Sequence, residues 1–146
     1  MQTIKMKIAI VGSSHFCTEM VEYRDKLKAL GHECELHEHY VARASGQMRE
    51  LWERMQKEHA KVKIEHDYIR YHYNEILNSD AVLVLNFDKN GIKNYIGGNT
   101  LIEMGQAYVN NKKIFLLNPI PDMQYKEEIE ALQPVVISSN LDLIKI

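Results

Sequence analysis

Three short runs of apolar residues stand out along the chain, and each ends at a turn signal. They cover Lys7–Val11, Ala81–Asn86 and Lys113–Leu117. Their apolar residues are nearly continuous rather than alternating. This pattern is typical of strands buried on both faces, as in a parallel sheet covered by helices. Weaker strand patterns lie at Glu33–His37 and Val135–Ser138.

Helical patterns separate these strands. Thr18–Leu30 carries apolar residues at helical spacing and is followed by a glycine, which is a common helix stop. The long charged stretch from Gln47 to Ser79 predicts two helices, with a break near Lys61–Glu65. Two further helices are predicted nearer the carboxyl end, over Thr100–Asn110 and Met123–Leu132.

The alternation of strands and helices predicts βαβ units joined into a parallel sheet with helices on both faces. We therefore expect one α/β domain over residues 1–146, with a flavodoxin-like or Rossmann-like three-layer fold. The expected sheet has five strands in the order 2-1-3-4-5. In such sheets ligands bind outside the carboxyl ends of the strands, where the strand order reverses. This rule selects the loops at residues 12–16 and 87–100.

Composition narrows the classes of function. The chain has 146 residues, a net charge of −2, 45% hydrophobic and 26% charged residues, which is ordinary for a soluble globular domain. It has no basic patch for a nucleic-acid polymer and no apolar run of membrane-spanning length. The amino terminus lacks the layout of a signal peptide, so we expect a cytoplasmic protein that does not bind membranes.

No metal or cofactor is expected. The cysteines, Cys17 and Cys34, form no C-x-x-C pair. The group His32, Cys34, His37 and His39 resembles a ligand set, but on a strand Cys34 and His37 would point to opposite faces. The sequence therefore favours free thiols and histidines without a metal.

The loop after the first strand reads Gly12-Ser13-Ser14-His15. Glycine lets the backbone approach a ligand closely, and the hydroxyls with nearby helix amides can hold a sugar hydroxyl or a phosphate. The alternative is a turn that ends the strand and caps a helix. The spacing matches neither a P-loop nor a dinucleotide fingerprint. We treat these four residues as candidate binding residues.

The second loop ends in Gly97-Gly98-Asn99-Thr100, and Glu103 follows. From spacing alone, Glu103 is either the acidic member of a capping box or a carboxylate that acts on a ligand as a nucleophile or base. These four loop residues and Asn86, at the end of the preceding strand, are further candidate binding residues. Gly105 costs about 1 kcal/mol in a helix relative to alanine, which suggests close helix–strand packing or close packing against another subunit there.

One segment carries a family resemblance, an apolar strand and glycine-bearing loop followed by a helix that reads Gly98-Asn99-Thr100-Leu101-Ile102-Glu103-Met104-Gly105-Gln106-Ala107. With the Lys112-Lys113-Ile114 strand start, it resembles the nucleoside 2-deoxyribosyltransferase superfamily, which includes deoxynucleoside 5′-monophosphate N-glycosidases. The first strand, ending in Gly12-Ser13-Ser14, is similar too. The resemblance implies a flavodoxin-like fold and a glutamate that attacks the anomeric carbon of a (deoxy)ribosyl group, a position matched by Glu103.

The resemblance also implies an acidic residue that supports protonation of the leaving base. Asp88, just beyond the strand, and Asp67, on the preceding helix, are the candidates. About one turn after Asp67 the chain has His72 where an acid is expected, and we include His72 as a binding residue. The loop before the glutamate also lacks the serine that commonly binds phosphate in this family. The first departure leaves the identity of the acid open, and the second indicates either an altered substrate or a branch that only binds nucleotides.

The resemblance therefore predicts cleavage of the N-glycosidic bond of a small-molecule nucleoside or nucleotide, or transfer of its (deoxy)ribosyl group. A module that binds or senses nucleotides without chemistry is the alternative, and a flavin binder is a weaker third. The long helical segment at residues 47–79 exceeds what a monomer of this size needs. It predicts a homodimer or a larger homo-oligomer.

Overall fold

The computed structural model describes residues 5–145. This part of the chain forms four strands, β1 (Ile8–Gly12), β2 (Ala81–Leu85), β3 (Lys113–Leu116) and β4 (Val135–Val136). It also forms seven helices, α1 (Cys17–Ala29), α2 (Glu38–Ala44), α3 (Arg49–Lys57), α4 (His59–His66), α5 (Tyr68–Leu77), α6 (Gly98–Val109) and α7 (Lys126–Ala131). None of these helices combines the length and the apolar character needed to cross a membrane.

The four strands form one parallel sheet in the order β1-β2-β3-β4. Ile8 lies opposite Ala81, and Ala81 lies opposite Lys113 on the other side. All five residues of β2 are buried, because β2 has a strand on each side and helices above and below. The predicted parallel sheet, with three nearly continuous apolar strands, is confirmed.

Alternate side chains of each strand pack on opposite faces of the sheet. Ile8 and Ile10 belong to one apolar cluster, whereas Ala9 and Val11 belong to a second. In the first cluster, the buried residues that belong to helices come from α1 to α5. They include Met20, Leu27, Tyr40, Trp52, Met55, Val62 and Tyr68. The second takes them from α5, α6 and α7, namely Ile76, Met104, Ala107 and Ile129. The α/β architecture with helices on both faces is therefore confirmed.

The predicted strand at residues 33–37 is wrong beyond its first residue. Glu33 forms a single parallel bridge with Lys7, and the chain then leaves the sheet. The side chain of His37 accepts a hydrogen bond from the amide of His39 and so caps the start of α2. The described residues form four strands rather than the expected five, and α2 stands where the sequence pattern predicts no helix.

The segment at residues 47–79 contains three helices instead of the predicted two. The breaks fall at Glu58 and Asp67, and residues 61–65 lie inside α4. Arg54 explains part of this outcome, because its guanidinium donates to both carboxylate oxygens of Glu65 at 3.0 and 3.1 Å and so ties α3 to α4. Left-handed residues bound the α3–α4 pair, Met48 at φ 56° and Asp67 at φ 51°.

Candidate functional site

A cavity of about 200 Å³ lies at the carboxyl edge of the sheet. Two of its walls are the loops that follow β1 and β2, as the rule for parallel sheets predicts. The other walls come from α2, α3 and α4. From these helices the lining residues are Tyr40, Arg43, Trp52, Met55, Gln56, His59 and Lys63.

The cavity brings together eight of the ten predicted binding residues. They lie on the two loops and at the start of α6, and they are Gly12, Ser13, Ser14, His15, Gly97, Gly98, Asn99 and Thr100. The two loops are distant in the sequence but adjacent in space, because parallel strands end at the same edge of the sheet. The two other predicted binding residues, Asn86 and His72, do not line this cavity.

Asn86 connects two strand ends instead. Its side chain is fully buried, donates to the carbonyl oxygen of Asn118 at 2.9 Å and accepts from the amide of Asn118 at 2.9 Å. The Asn118 side chain donates in return to the carbonyl oxygen of Asn86 at 3.0 Å. Because these bonds occupy both ends of its amide, Asn86 holds the end of β2 against the chain that follows β3.

His72 lies behind the cavity wall. Its ring stacks on Tyr40, with centroids 5.3 Å apart and an angle of 28° between the planes. Together with Glu75 it borders a second, smaller cavity beside β1. Burial lowers the pKa of His72 to about 4, so the ring is neutral at pH 7. His72 therefore supports Tyr40, which itself lines the main cavity.

Glu103 is not part of a capping box. Helix α6 begins at Gly98, its N-cap is Gly97, and no side chain makes a cap hydrogen bond there. Glu103 is thus more than one turn inside the helix, beyond the reach of the free amides at its start. Its carboxylate Oε1 instead accepts a hydrogen bond from Asn99 Nδ2 at 2.6 Å. Asn99 lines the cavity, so this bond couples Glu103 to the cavity wall.

Burial and a nearby lysine have opposite effects on the pKa of Glu103. Only 6% of the residue is exposed, and burial raises its pKa to about 8, while the positive charge of Lys63 opposes the rise. The fully enclosed polar side-chain atoms without a partner among residues 5–145 belong to Glu19, Trp52 and Gln106. The carboxyl group of Glu103 is not among them, and Glu103 itself is not one of the residues that line the cavity.

The two acid candidates lie outside the cavity lining. Asp88 accepts a hydrogen bond from the amide of Asn94 at 2.9 Å and so shapes the loop after β2. Asp67 forms the junction between α4 and α5, and its carboxylate pairs with Arg70 at 2.9 Å. Both carboxylates therefore have structural partners, and neither borders the space beside Asn99.

Sequence reasoning missed the basic and aromatic wall of the cavity. Arg43 comes from α2, Lys63 from α4 and Lys89 from the loop after β2, and all three line the cavity. Their positions in charged, helix-favouring or loop sequence look like ordinary solvated surface. Only the docking of α2, α3 and α4 onto the sheet edge shows that these side chains face one space.

The histidines near Cys34 do not form a metal site. His32 Nδ1 accepts a hydrogen bond from the amide of Met6 at 3.2 Å, and His37 Nδ1 accepts one from the amide of His39 at 2.9 Å. These nitrogens are occupied by backbone donors. Throughout residues 5–145, no group of three or more histidine, cysteine, aspartate or glutamate residues is placed to hold a metal ion.

Comparisons of the chain with models of protein families, with curated proteins and with solved structures gave no match. We therefore infer the kind of ligand from the side chains of the cavity. The Glu103 carboxyl group is bonded to the cavity residue Asn99, and the wall carries both basic side chains and the rings of Tyr40, Trp52 and Tyr95. This combination suits a ligand with an aromatic ring, a polar centre and negative charge.

Proposed function

We propose that the protein binds a nucleoside or nucleotide in this cavity and cleaves its N-glycosidic bond, or transfers its (deoxy)ribosyl group, with Glu103 as the nucleophile. The observation that carries the proposal is the buried Glu103 carboxyl group, held at 2.6 Å by the cavity residue Asn99. The resemblance of residues 98–107 to the nucleoside 2-deoxyribosyltransferase superfamily supports the same reaction. The rings of Tyr40 and Trp52 provide apolar surface for the base.

The reaction follows the retaining pathway of glycosidases. The Glu103 carboxylate attacks the anomeric carbon and forms an ester, while the carbon–nitrogen bond breaks and its electron pair leaves with the base, which takes up a proton from water. Water or a second base then attacks the same carbon and releases the carboxylate. Burial opposes the ionised form of Glu103 that this attack requires, and the positive charge of Lys63 favours it.

Replacement of Glu103 by glutamine tests the proposal. The glutamine carbonyl oxygen still accepts the hydrogen bond from Asn99, but the amide cannot form the glycosyl ester. We expect release of free base from deoxynucleosides or their monophosphates to fall by roughly a thousandfold or more, with ligand binding retained. Chromatography of the free base after incubation with a panel of both substrate types is the measurement.

Glu127→Gln is the matched control, because Glu127 is exposed on α7 and carries the same charge. It should release base at the wild-type rate. If no compound of the panel loses its base, and wild type and Glu103→Gln behave alike, the enzymatic proposal is wrong.

A module that binds nucleotides without chemistry is the second candidate. Two observations favour it, since Glu103 is 6% exposed with one oxygen already bonded to Asn99, and neither Asp67 nor Asp88 lines the cavity. A nucleotide that raises the melting temperature and is recovered unchanged would support binding alone. Recovery of free base from the same mixture would favour the enzyme.

We also propose the flavodoxin-like strand order 2-1-3-4-5, with the chain at Glu33 in the place of the second strand. The amide of Ile8 donates to the carbonyl oxygen of Glu33 at 2.9 Å, whereas the carbonyl oxygen of Lys7 accepts from the amide of Asp80 at 2.7 Å. Successive residues of a parallel strand bond to opposite sides. Glu33 therefore lies on the edge of β1 that faces away from β2, where the fifth strand of this order belongs.

A homodimer or larger homo-oligomer is proposed as well, through part of the segment at residues 47–79. This segment exposes large apolar side chains, with 78% of Ile64 and 47% of Ile69 accessible. Contact with a second copy would remove this apolar surface from water.

A further inference from the structure

Two basic side chains meet in one part of the cavity without a carboxylate to balance them. Arg43 reaches there from α2 and Lys89 from the loop after β2. Among residues 5–145, neither forms an ion pair with an acidic side chain. The two charges repel each other, and burial together with Arg43 lowers the pKa of Lys89. A partly buried pair of like charges is stabilised by a group of opposite charge.

Both cations are directed at consecutive residues of the loop after β1. Lys89 Nζ lies 3.0 Å from Ser13 Oγ. Arg43 Nη1 lies 3.0 Å from the carbonyl oxygen of Ser14 and 3.3 Å from Ser14 Oγ. The two charges thus contact consecutive residues of the chain, and the two hydroxyl groups that accept from them can each donate to a ligand.

Aromatic rings hold the two cations in place without neutralising them. The Arg43 guanidinium lies over the ring of Trp52, 4.6 Å from its centroid. The Lys89 ammonium lies 5.1 Å from the centroid of the Tyr95 ring. Cation–π contacts of this kind restrain a basic side chain and leave its full charge available to a ligand. The subsite is therefore preorganised for an anion.

We propose that Arg43, Lys89, Ser13 and Ser14 form a phosphate-binding subsite, and that the ligand of the cavity is a nucleoside monophosphate rather than a free nucleoside. This inference rests on the proposed function, because it names the substrate class of the same cavity. A phosphate monoester carries close to two negative charges at neutral pH and matches two cations. Arginine supplies parallel donors to its oxygens, and lysine adds a compact positive charge.

Calorimetric titration of the full chain tests the subsite with three probes: a nucleoside, its 5′-monophosphate and inorganic phosphate. We expect the wild-type protein to bind the monophosphate roughly tenfold more tightly than the nucleoside, or better. Arg43→Gln and Lys89→Gln should each lose most of this preference and bind the nucleoside as before. Arg43→Lys, which keeps the charge but not the parallel donors, should lose part of it. Inorganic phosphate should compete with the monophosphate but not with the nucleoside.

Lys93→Gln is the matched control, since Lys93 is exposed in the same loop as Lys89 and does not line the cavity. It should keep the full preference for the monophosphate. Circular dichroism of each variant verifies folding, and Lys89→Gln decides the question if Arg43→Gln does not fold. Equal affinities of wild type for nucleoside and monophosphate, or an unchanged preference in Lys89→Gln, would overturn the subsite.

The same experiments separate this inference from the proposed reaction. Base release without any preference for the monophosphate means that the reaction stands and the phosphate subsite is wrong. A preference that depends on Arg43 and Lys89, without base release, means that the subsite stands and the reaction is wrong.

Discussion

At the scale of single residues, Glu103 links the stability of the protein to pH. Burial raises its pKa from 4.5 to about 8, so the folded protein holds a proton that the unfolded chain has already released. This stabilisation is complete below pH 4.5 and is lost as the pH rises through about 8. His72 acts in the opposite direction, but only below pH 6.5, because burial lowers its pKa to about 4.

The free energy of unfolding is therefore expected to fall by about 1 kcal/mol between pH 7 and pH 8, where Glu103 gives up its proton in the folded state. Glu103→Gln removes this group and should give a flatter profile over the same interval. Urea denaturation of both proteins at several pH values is the measurement. Parallel profiles for the two proteins would show that Glu103 is ionised normally in the folded state.

At the scale of secondary-structure elements, Gly12 controls how closely β1 approaches β2. Its φ is 157°, and a Cβ atom built on it would lie 2.8 Å from the carbonyl oxygen of Leu85. Since that contact is with backbone, relief requires the two strands to move apart. Gly12→Ala is expected to destabilise the fold by about 2 kcal/mol or more, as measured by thermal or urea denaturation.

Gly105→Ala provides the opposite comparison in the middle of α6. Apart from its neighbours along the chain and the backbone of α6, nothing in residues 5–145 lies within 4 Å of a Cβ built there, so the close helix–strand packing that the sequence suggests is absent from this part of the chain. Alanine should stabilise α6 by about 1 kcal/mol. If Gly12→Ala is as stable as wild type, the approach of β1 to β2 is looser than the structure shows.

The sequence predicts well those elements whose spacing of apolar residues follows from the burial of their side chains. The apolar runs of β1, β2 and β3 are continuous because helices cover both faces of the sheet, and α1 shows its apolar spacing in the same way. The segment at residues 33–37 has a strand-like pattern too, but the local cap made by His37 starts α2 instead. The spacing of apolar residues cannot predict a side-chain hydrogen bond of this kind.

At the scale of the whole molecule, the topology of the sheet predicts one set of cavity walls but not the other. The rule that ligands bind beyond the strand ends selects the loops after β1 and β2, and their predicted residues do line the cavity. The wall from α2 to α4 depends on how charged helices dock against the sheet. Arg43, between Ala42 and Ala44, and Lys63, between Val62 and Ile64, belong to no recognisable ligand-binding motif, so nothing in the local sequence shows that they line a cavity. The net charge of −2 also gives no indication that the charged residues lining the cavity are basic.

Association of copies is also a property of the whole molecule. The exposed apolar side chains of Ile64 and Ile69 lead us to expect a species larger than a monomer in sedimentation velocity at micromolar concentration. Ile64→Lys should shift the distribution towards the monomer, because a charge in an apolar contact is costly to desolvate. A clean monomer for the wild-type protein would remove the proposed homodimer.

The α3–α4 pair lines the cavity without being part of the sheet. It contributes no strand, it is bounded by left-handed residues at Met48 and Asp67, and it supplies a wall of the cavity. Glu103 and the two loops belong to other stretches of the chain. Under the proposed function, α3 and α4 would therefore shape only part of the ligand site, since the proposed phosphate subsite and Glu103 lie outside residues 49–66. Exchange of residues 49–66 for another helical hairpin that keeps a lysine at position 63 is then expected to change which bases fit the cavity, while Glu103 and the two loops stay as they are.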